Sequence, residues 1–438
     1  MLYHKLSAPI TCQIEITNVC NNNCIHCYNH WRHINDGARN HMDTETLQLV
    51  IAEIIKNKIF QVTFTGGETF LNRSILFRGL SELTQAGVAC SVNSNLTTFT
   101  IDDGIKIYDL GLRGILTSVS SFDPQKHDLI MQRRGAFNDV LSGIRIAIQS
   151  GLKVGCSMVV TSLNIDDVLD TGRFLHNIGV SQFFATKASP PLNAKNFQQY
   201  MISKKQLLQV IGALNSLREE CGIEVGVLEC YPLCFYLSPV KYPFLKDRKC
   251  SAGITTCTIG VDAEVRPCSH SDESYGNIHD TYLSNIWSNM RDNRDGSKLP
   301  YKCLDCSKLS QCSGGCRVDA KYCYGHYNNF DPYANPNDVD RIEECETSLP
   351  NVSDETVFRI SNDLKIRIEE LGVLIATAKN IARPVFVTFD TLDLIQHFSK
   401  VRFTIQDVCE FTALNDVDGK QICRLLLRDK ILELDMCI

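Results

Sequence analysis

The stretch "NVCNNNCIHCYN", Asn18–Asn29, sets Cys20, Cys24 and Cys27 among asparagines directly after the apolar run "CQIEIT". Three is an awkward number of thiols, because a structural zinc takes four ligands and a disulfide framework takes an even count. Three thiolates can hold three irons of a cubane iron–sulfur cluster and leave the fourth iron open to a small ligand, a vacancy that four-cysteine ligation lacks. The spacing C-x3-C-x2-C lets one tight loop wrap one cluster, and His26 adds a flat side chain beside it. A zinc site completed by a nearby histidine is the rival reading.

Outward from this loop, short apolar runs alternate with amphipathic ones as far as about Pro190. "CQIEIT", "QVTFTGG", "ACSVNSN", "GILTSVSS", "KVGCSMVVTS" and "SQFFATK" predict strands, and "TETLQLVIAEIIKN", "SILFRGLSELTQAG" and "FNDVLSGIRIAIQSG" predict helices. Repeated strand–helix units imply an α/β domain with a parallel sheet, open or closed into a barrel. Ligands in such folds bind beyond the carboxyl ends of the strands, where the cysteine loop lies.

The chain has 438 residues, enough for two or three domains, and 44 Lys plus Arg against 50 Asp plus Glu, a net charge of −6. Without a long basic stripe it predicts no nucleic-acid partner. No apolar run approaches 20 residues and the N-terminus lacks a signal-peptide pattern, so the expectation is a cytoplasmic protein with no membrane partner. In reducing cytoplasm, 21 cysteines are metal ligands more readily than bridges.

A second array, Cys303-x2-Cys306-x5-Cys312-x3-Cys316, follows Cys250, Cys257 and Cys268 in a segment with little apolar periodicity, which metal would have to hold together. Spacing alone does not separate zinc from iron–sulfur. Past the linker "ETSLPNVSDE" the pattern changes again: a hairpin-like stretch, "VFVTF", the helical runs "DTLDLIQHFS" and "DGKQICRLLLRDK" and a short strand "ILEL" predict a small α+β module of winged-helix type.

With Cys20, Cys24, His26 and Cys27 matching C-x3-C-x-φ-C, the sequence resembles the radical S-adenosylmethionine (SAM) enzymes. The array from Cys250 to Cys345 resembles their SPASM extension, although Ala263 stands where a glycine is usual. The resemblance implies a partial (β/α)6 TIM-like barrel over residues 1–235, a SPASM auxiliary-cluster domain over 236–350 and a winged-helix-like peptide-recognition element over 351–438. It implies SAM and three [4Fe–4S] clusters: one on Cys20, Cys24 and Cys27, one on Cys250, Cys257, Cys268 and Cys316, and one on Cys303, Cys306, Cys312 and Cys345, with Cys323 the alternative to Cys345. SAM contacts are expected from His26, from Gly66, Gly67 and Glu68 of "TGGE", from Ser94 and Asn95 of "SVNSN", and from Ser118, Ser120 and Arg134.

The likeness extends to maturases of ribosomally made peptides. It implies hydrogen abstraction by a 5′-deoxyadenosyl radical and a side-chain cross-link, carbon–carbon or ether, involving an aromatic residue such as Trp, as in the darobactin type. Thioether formation, epimerisation and sulfatase-type protein maturation use the same machinery. Expected partners are a precursor peptide whose leader binds the C-terminal module and a flavodoxin- or ferredoxin-type reductant, with the enzyme a monomer or weak oligomer. No residue identifies a catalytic acid or base.

Overall fold

The computed structural model describes all residues except 1, 2, 4, 34–39, 192–195, 247, 345–348, 382 and 436–438. Strands β1 (Thr11–Thr17), β2 (Gln61–Gly66), β3 (Ala89–Asn93), β4 (Gly114–Ser118), β5 (Lys153–Val160), β6 (Gln182–Lys187) and β7 (Glu224–Gly226) pair in sequence order, all parallel, with helices in the crossovers. Consecutive parallel pairing of this kind makes the expected open barrel. Helices also form over Ile101–Asp109, Val168–Asn177 and Lys204–Cys221, each packing a buried stripe on the sheet.

Period-2 alternation divides every strand between the helical layer and the bore. On β2, Val62 and Phe64 are buried under the helices, whereas Gln61, Thr63 and Thr65 face the cavity. Register places Gln13, Thr63 and Ser91 side by side, and the hydroxyls of Thr63 and Ser91 are 2.7 Å apart. These hydroxyls and amides put polar partners on one wall of a bore that Val92, Leu116 and Phe184 otherwise line, so a polar ligand there is not stranded.

The sheet does not stop at the expected boundary near residue 235. Strand β8 (Thr256–Ile259) adds to β1 in parallel, and β9 (Val265–Arg266) follows antiparallel. Glu15 and Arg266, both buried, form an ion pair across this junction. The cysteine-rich segment thus grows from the barrel's own edge.

In the tail, β10 (Phe358–Ile360) pairs with β14 (Leu432–Leu434), and β11 (Lys365–Glu369), β12 (Gly372–Ala376) and β13 (Val385–Val387) form a second antiparallel sheet. Three helices complete the module: Phe389–His397, Ile405–Thr412 and Asp416–Arg428. The middle one, absent from the sequence reading, starts at a Thr404/Asp407 capping box. The module docks on the amino ends of β1 and β2. Leu374 and Ala376 pack with Leu6, Ile10 and Phe60, and buried Arg367 donates to the carbonyls of Ala8 and Pro9 at 2.7 Å each. Its charge is matched by Glu369, which also accepts the Ser7 amide.

Candidate functional site

The loop after β1 has almost no regular structure, and its asparagines supply what a helix or strand would have. Asn22 accepts from Arg133 (2.8 Å), Asn23 accepts from Arg32 (2.6 Å), Asn29 donates to the Gly66 carbonyl (3.0 Å), and Asn21 is tied to Asn95 and Thr97 (2.8 Å each). Backbone amides of Asn23 and Ile25 donate to the last carbonyls of the helix Pro124–Met131. The loop is thereby fixed with Cys20, Cys24 and Cys27 all on the cavity wall.

Burial, and then the neighbouring thiols Cys27 and Cys20, push Cys24 up to about 12; burial likewise raises Cys20. Mutually repelling thiols of this kind give up their protons to a metal centre. Among the described residues no three His, Cys, Asp or Glu side chains converge closely enough for a single ion. The three thiols share one wall of the cavity, and three cysteines after a strand are the ligand set of a cluster with an open iron. Above them His26 is buried with Nδ1 unpartnered, and burial lowers its pKa to about 4, so it is a neutral ring on the wall.

Gly66 and Gly67 bring the β2 turn against the cysteine loop. The Gly67 amide donates to Thr17 O at 2.6 Å, and a Cβ on Gly67 would sit 2.0 Å from Val19 O, one residue before Cys20. Both glycines, with Ser94, Asn95, Ser118 and His26, line the cavity, and Asn95 Nδ2 lies 3.9 Å from Cys20 Sγ.

Three other expected SAM contacts are placed elsewhere. Glu68 is buried behind the loop, its oxygens accepting from Ser94 Oγ (2.6 Å), the Phe70 amide (3.0 Å) and the Asn95 amide (2.7 Å), so it clamps β2 to β3. Ser120 is buried off the cavity, its amide donating to His127, and Arg134 is exposed to solvent. The arginine turned inward at this turn is Arg133.

The cysteine-rich segment departs from the expected ligand sets. Cys250, Cys268 and Cys316 line the far end of the same cavity, but Cys257 does not. It is fully buried on β8 opposite Cys12 of β1, the two sulfurs 3.4 Å apart, because β8 must pair with β1. Cys230 takes the vacant corner, within hydrogen-bonding reach of Cys250 and Cys316, and its hydrogen bond pulls Cys250 down to about 7. Cys323 neighbours Asp319, Lys187 and Cys316 rather than Cys303, and Cys345 lies outside the described residues. Cys234 instead approaches Cys312 and Cys303.

Between the two thiol groups stands a charged network that the sequence reading missed. Lys187, fully buried at the end of β6, is paired with Asp319 and with Glu229 at 2.7 Å. Burial opposes its charge, yet Asp319 and then Glu229 hold its pKa well above the usual lysine value. Glu229 accepts from Ser189 (2.7 Å) and lies 3.6 Å from His270 Nδ1, and His270 stacks on Tyr28 with centroids 4.0 Å apart. Tyr28 adjoins Cys27, and His270 is two residues past Cys268, so this stack joins the two cysteine loops. No short motif marks these residues; only the adjacency of Cys230 to Glu229 gave a signal.

Residues 14–175 match the radical SAM superfamily model, and residues 250–316 match SPASM, the iron–sulfur cluster-binding domain. AdoMet-dependent heme synthase of Oleidesulfovibrio alaskensis is 23% identical over 69% of this chain and 81% of its own length. Sporulation killing factor maturation protein SkfB of Bacillus subtilis is 25% identical over 65% of this chain and 66% of its own. Streptococcus suis SuiB, solved bound to precursor peptide SuiA, has the same fold with a TM-score of 0.59, at 16% identity over 74% of this chain and 75% of that one.

Proposed function

We propose that this chain, an enzyme joining a radical SAM domain to a SPASM iron–sulfur domain, cross-links two side chains of a ribosomally made precursor peptide. One observation carries the reading. A single cavity of about 2290 Å³ runs from Cys20, Cys24 and Cys27 past Tyr28 and His270 to Cys250, Cys268 and Cys316. Small-molecule sites are roughly 300–1,000 Å³, so this one can admit SAM together with a peptide segment. Similarity to SkfB, a maturation protein, and to SuiB, solved with a precursor peptide, supports the substrate class.

A cluster held by Cys20, Cys24 and Cys27 with SAM on it supplies hydrogen-atom abstraction from an unactivated carbon. Gly66 and Gly67 keep the wall beside it free of side chains, Asn95 and Ser118 offer polar contacts, and His26 presents a neutral ring. Joining two C–H carbons removes two hydrogens, one as an atom and the other as a proton and an electron. Glu229 and His270 line the route between the thiol groups and offer the carboxylate and imidazole that take the proton. The auxiliary thiols would hold the iron–sulfur cluster that accepts the electron, and a flavodoxin- or ferredoxin-type protein would supply the electron that starts each turnover.

The leader would add as a strand to β13, an edge of the tail sheet. Since β1 spans about 23 Å at 3.3 Å per residue, a leader held there must reach that far to deliver its core to the cysteine loop. The relation to a heme synthase supports a second reading, a tetrapyrrole in the same cavity.

The test is anaerobic turnover with SAM and dithionite, giving the enzyme either a candidate precursor peptide, sought as a short open reading frame beside the gene, or an iron porphyrin. Deoxyadenosine formation with a peptide product lighter by two hydrogens and no blocked cysteine supports a carbon–carbon or ether cross-link. An unchanged mass with an inverted residue means epimerisation, loss of two hydrogens with a blocked cysteine means a thioether, and turnover of the porphyrin alone sinks the peptide reading.

A further inference from the structure

We infer that Cys230 and Cys234 each give one thiolate to a different auxiliary iron–sulfur cluster, Cys230 joining Cys250, Cys268 and Cys316, and Cys234 joining Cys303, Cys306 and Cys312. Cys257 ligates neither. The inference rests on the iron–sulfur assignment of this domain and not on the substrate.

The argument begins with two segments of the same spacing. Cys230-x3-Cys234 and Cys312-x3-Cys316 cross where Pro232 meets Gly315: a Cβ on Gly315 would lie 2.8 Å from the proline ring and 2.6 Å from Asp331 Oδ2. Gly315 has φ +81°, a conformation glycine adopts without strain, and its missing side chain leaves room for the proline ring and the Asp331 carboxylate. On one side of it Cys230 contacts Cys316 and Cys250, and Cys268 neighbours both of these. On the other side Cys234 neighbours Cys312 and Cys303, and Cys306 neighbours them in turn. Each segment therefore sends its first or last thiol to one group and the remaining thiol to the other.

The sulfurs are already supplied with amide donors, as cluster thiolates require. The Asn335 amide lies 3.2 Å from Cys234 Sγ, the Leu233 amide 3.4 Å from Cys312 Sγ, and the Asp319 amide 3.4 Å from Cys316 Sγ. Cys257 has the opposite surroundings: a strand ladder on β8, a place in the apolar core and Cys12 as its sulfur neighbour. Drawing Cys257 into a cluster would require breaking the β1–β8 pairing. Two groups of four thiols result, with the loop Glu229–Tyr236 as the clip between them.

The experiment uses the full chain carrying Cys20→Ala/Cys24→Ala/Cys27→Ala, reconstituted anaerobically, so that only auxiliary clusters contribute. The parent should hold about eight irons and about eight sulfides. Adding Cys230→Ala should change the EPR spectrum of one reduced cluster and lower the iron count, and Cys234→Ala should do the same to the other. Adding Cys257→Ala should leave iron, sulfide and spectrum as in the parent. Cys230→Ser and Cys234→Ser, judged folded by circular dichroism, serve if the alanine variants do not fold; they should keep the iron but shift the same signals. An altered spectrum with Cys257→Ala, unaltered spectra with the serine variants, or zinc in place of iron in the parent would each overturn the assignment.

Discussion

Replacing Lys187 with Met should loosen the joint between the barrel and the auxiliary domain. Lys187 closes β6, and Asp319 lies on the helix Arg317–Tyr324 that starts at Cys316. The lysine side chain is 0% exposed and that of Asp319 1%, so screening by water is negligible. Removing one partner of such a pair leaves a stranded buried charge and costs about 3–5 kcal/mol. At 1.4 kcal/mol per tenfold, that is roughly a 100- to 4,000-fold rise in the opening of that helix. Because a chain of several units does not unfold in one step, amide hydrogen exchange over residues 317–324 is the proper assay. Lys187→Met should speed exchange there by that factor. The double variant Lys187→Met/Asp319→Asn, which removes the fully buried lone carboxylate and leaves only the partly exposed Glu229 without its cation, should recover part of it. Exchange within about threefold of the parent in the single variant, or a double variant worse than the single, would refute the reasoning that pairing and not mere packing holds the joint.

Four further outcomes follow from the geometry. Gly67→Ala should displace the cysteine loop, since its Cβ would meet the backbone oxygen of Val19 at 2.0 Å; iron should fall from about twelve to about eight while the auxiliary signals persist. His127, buried with Nδ1 accepting the Ser120 amide, has its pKa lowered by burial to about 4. The unfolded chain therefore binds the extra proton first, the neutral form's stability is present above pH 6.5 and is lost as pH falls towards 4, and between pH 7.5 and 5.5 the loss is about 1.4 kcal/mol. Amide exchange over the helix Pro124–Met131 across that range should show this dependence, and His127→Asn should remove its share while that of His26 remains. Arg367→Met should strand buried Glu369 and release the tail from Ala8 and Pro9, read as a larger radius of gyration in solution scattering, with Arg367→Met/Glu369→Gln partly restoring it. Finally, the precursor peptide should slow amide exchange at Val385–Val387; protection confined to the cavity mouth would remove the leader from the tail.

Much of this was legible in the sequence because the signals are local. The strands announce themselves by period-2 alternation, and the loop of Cys20, Cys24 and Cys27 by short spacing after a strand. Spacing likewise marked Cys303, Cys306, Cys312 and Cys316 as a cysteine array within one iron–sulfur domain. A hydroxyl at a strand end can point either into the bore or away from it, and so Ser118 reached the cavity while Ser120 did not. Of the adjacent arginines, Arg133 turns in to donate to Asn22 and Arg134 points to solvent, a choice no local pattern in the chain marks.

What the sequence by itself determined is the set of local patterns: a parallel α/β barrel, a cysteine loop at its carboxyl ends, a metal-rich insert and a small α+β tail. What only the tertiary structure decided is which distant residues share a site. Cys257 counts as one more cysteine in the chain, but pairing of β8 with β1 buries it beside Cys12, and the Pro232–Gly315 crossing brings Cys230 to Cys250 and Cys316 and Cys234 to Cys312 and Cys303. Lys187, Glu229, His270 and Tyr28 meet only because strand ends and loops converge at one mouth. Contacts between residues 40 to 250 positions apart depend on how whole elements pack, and no spacing in the chain encodes them.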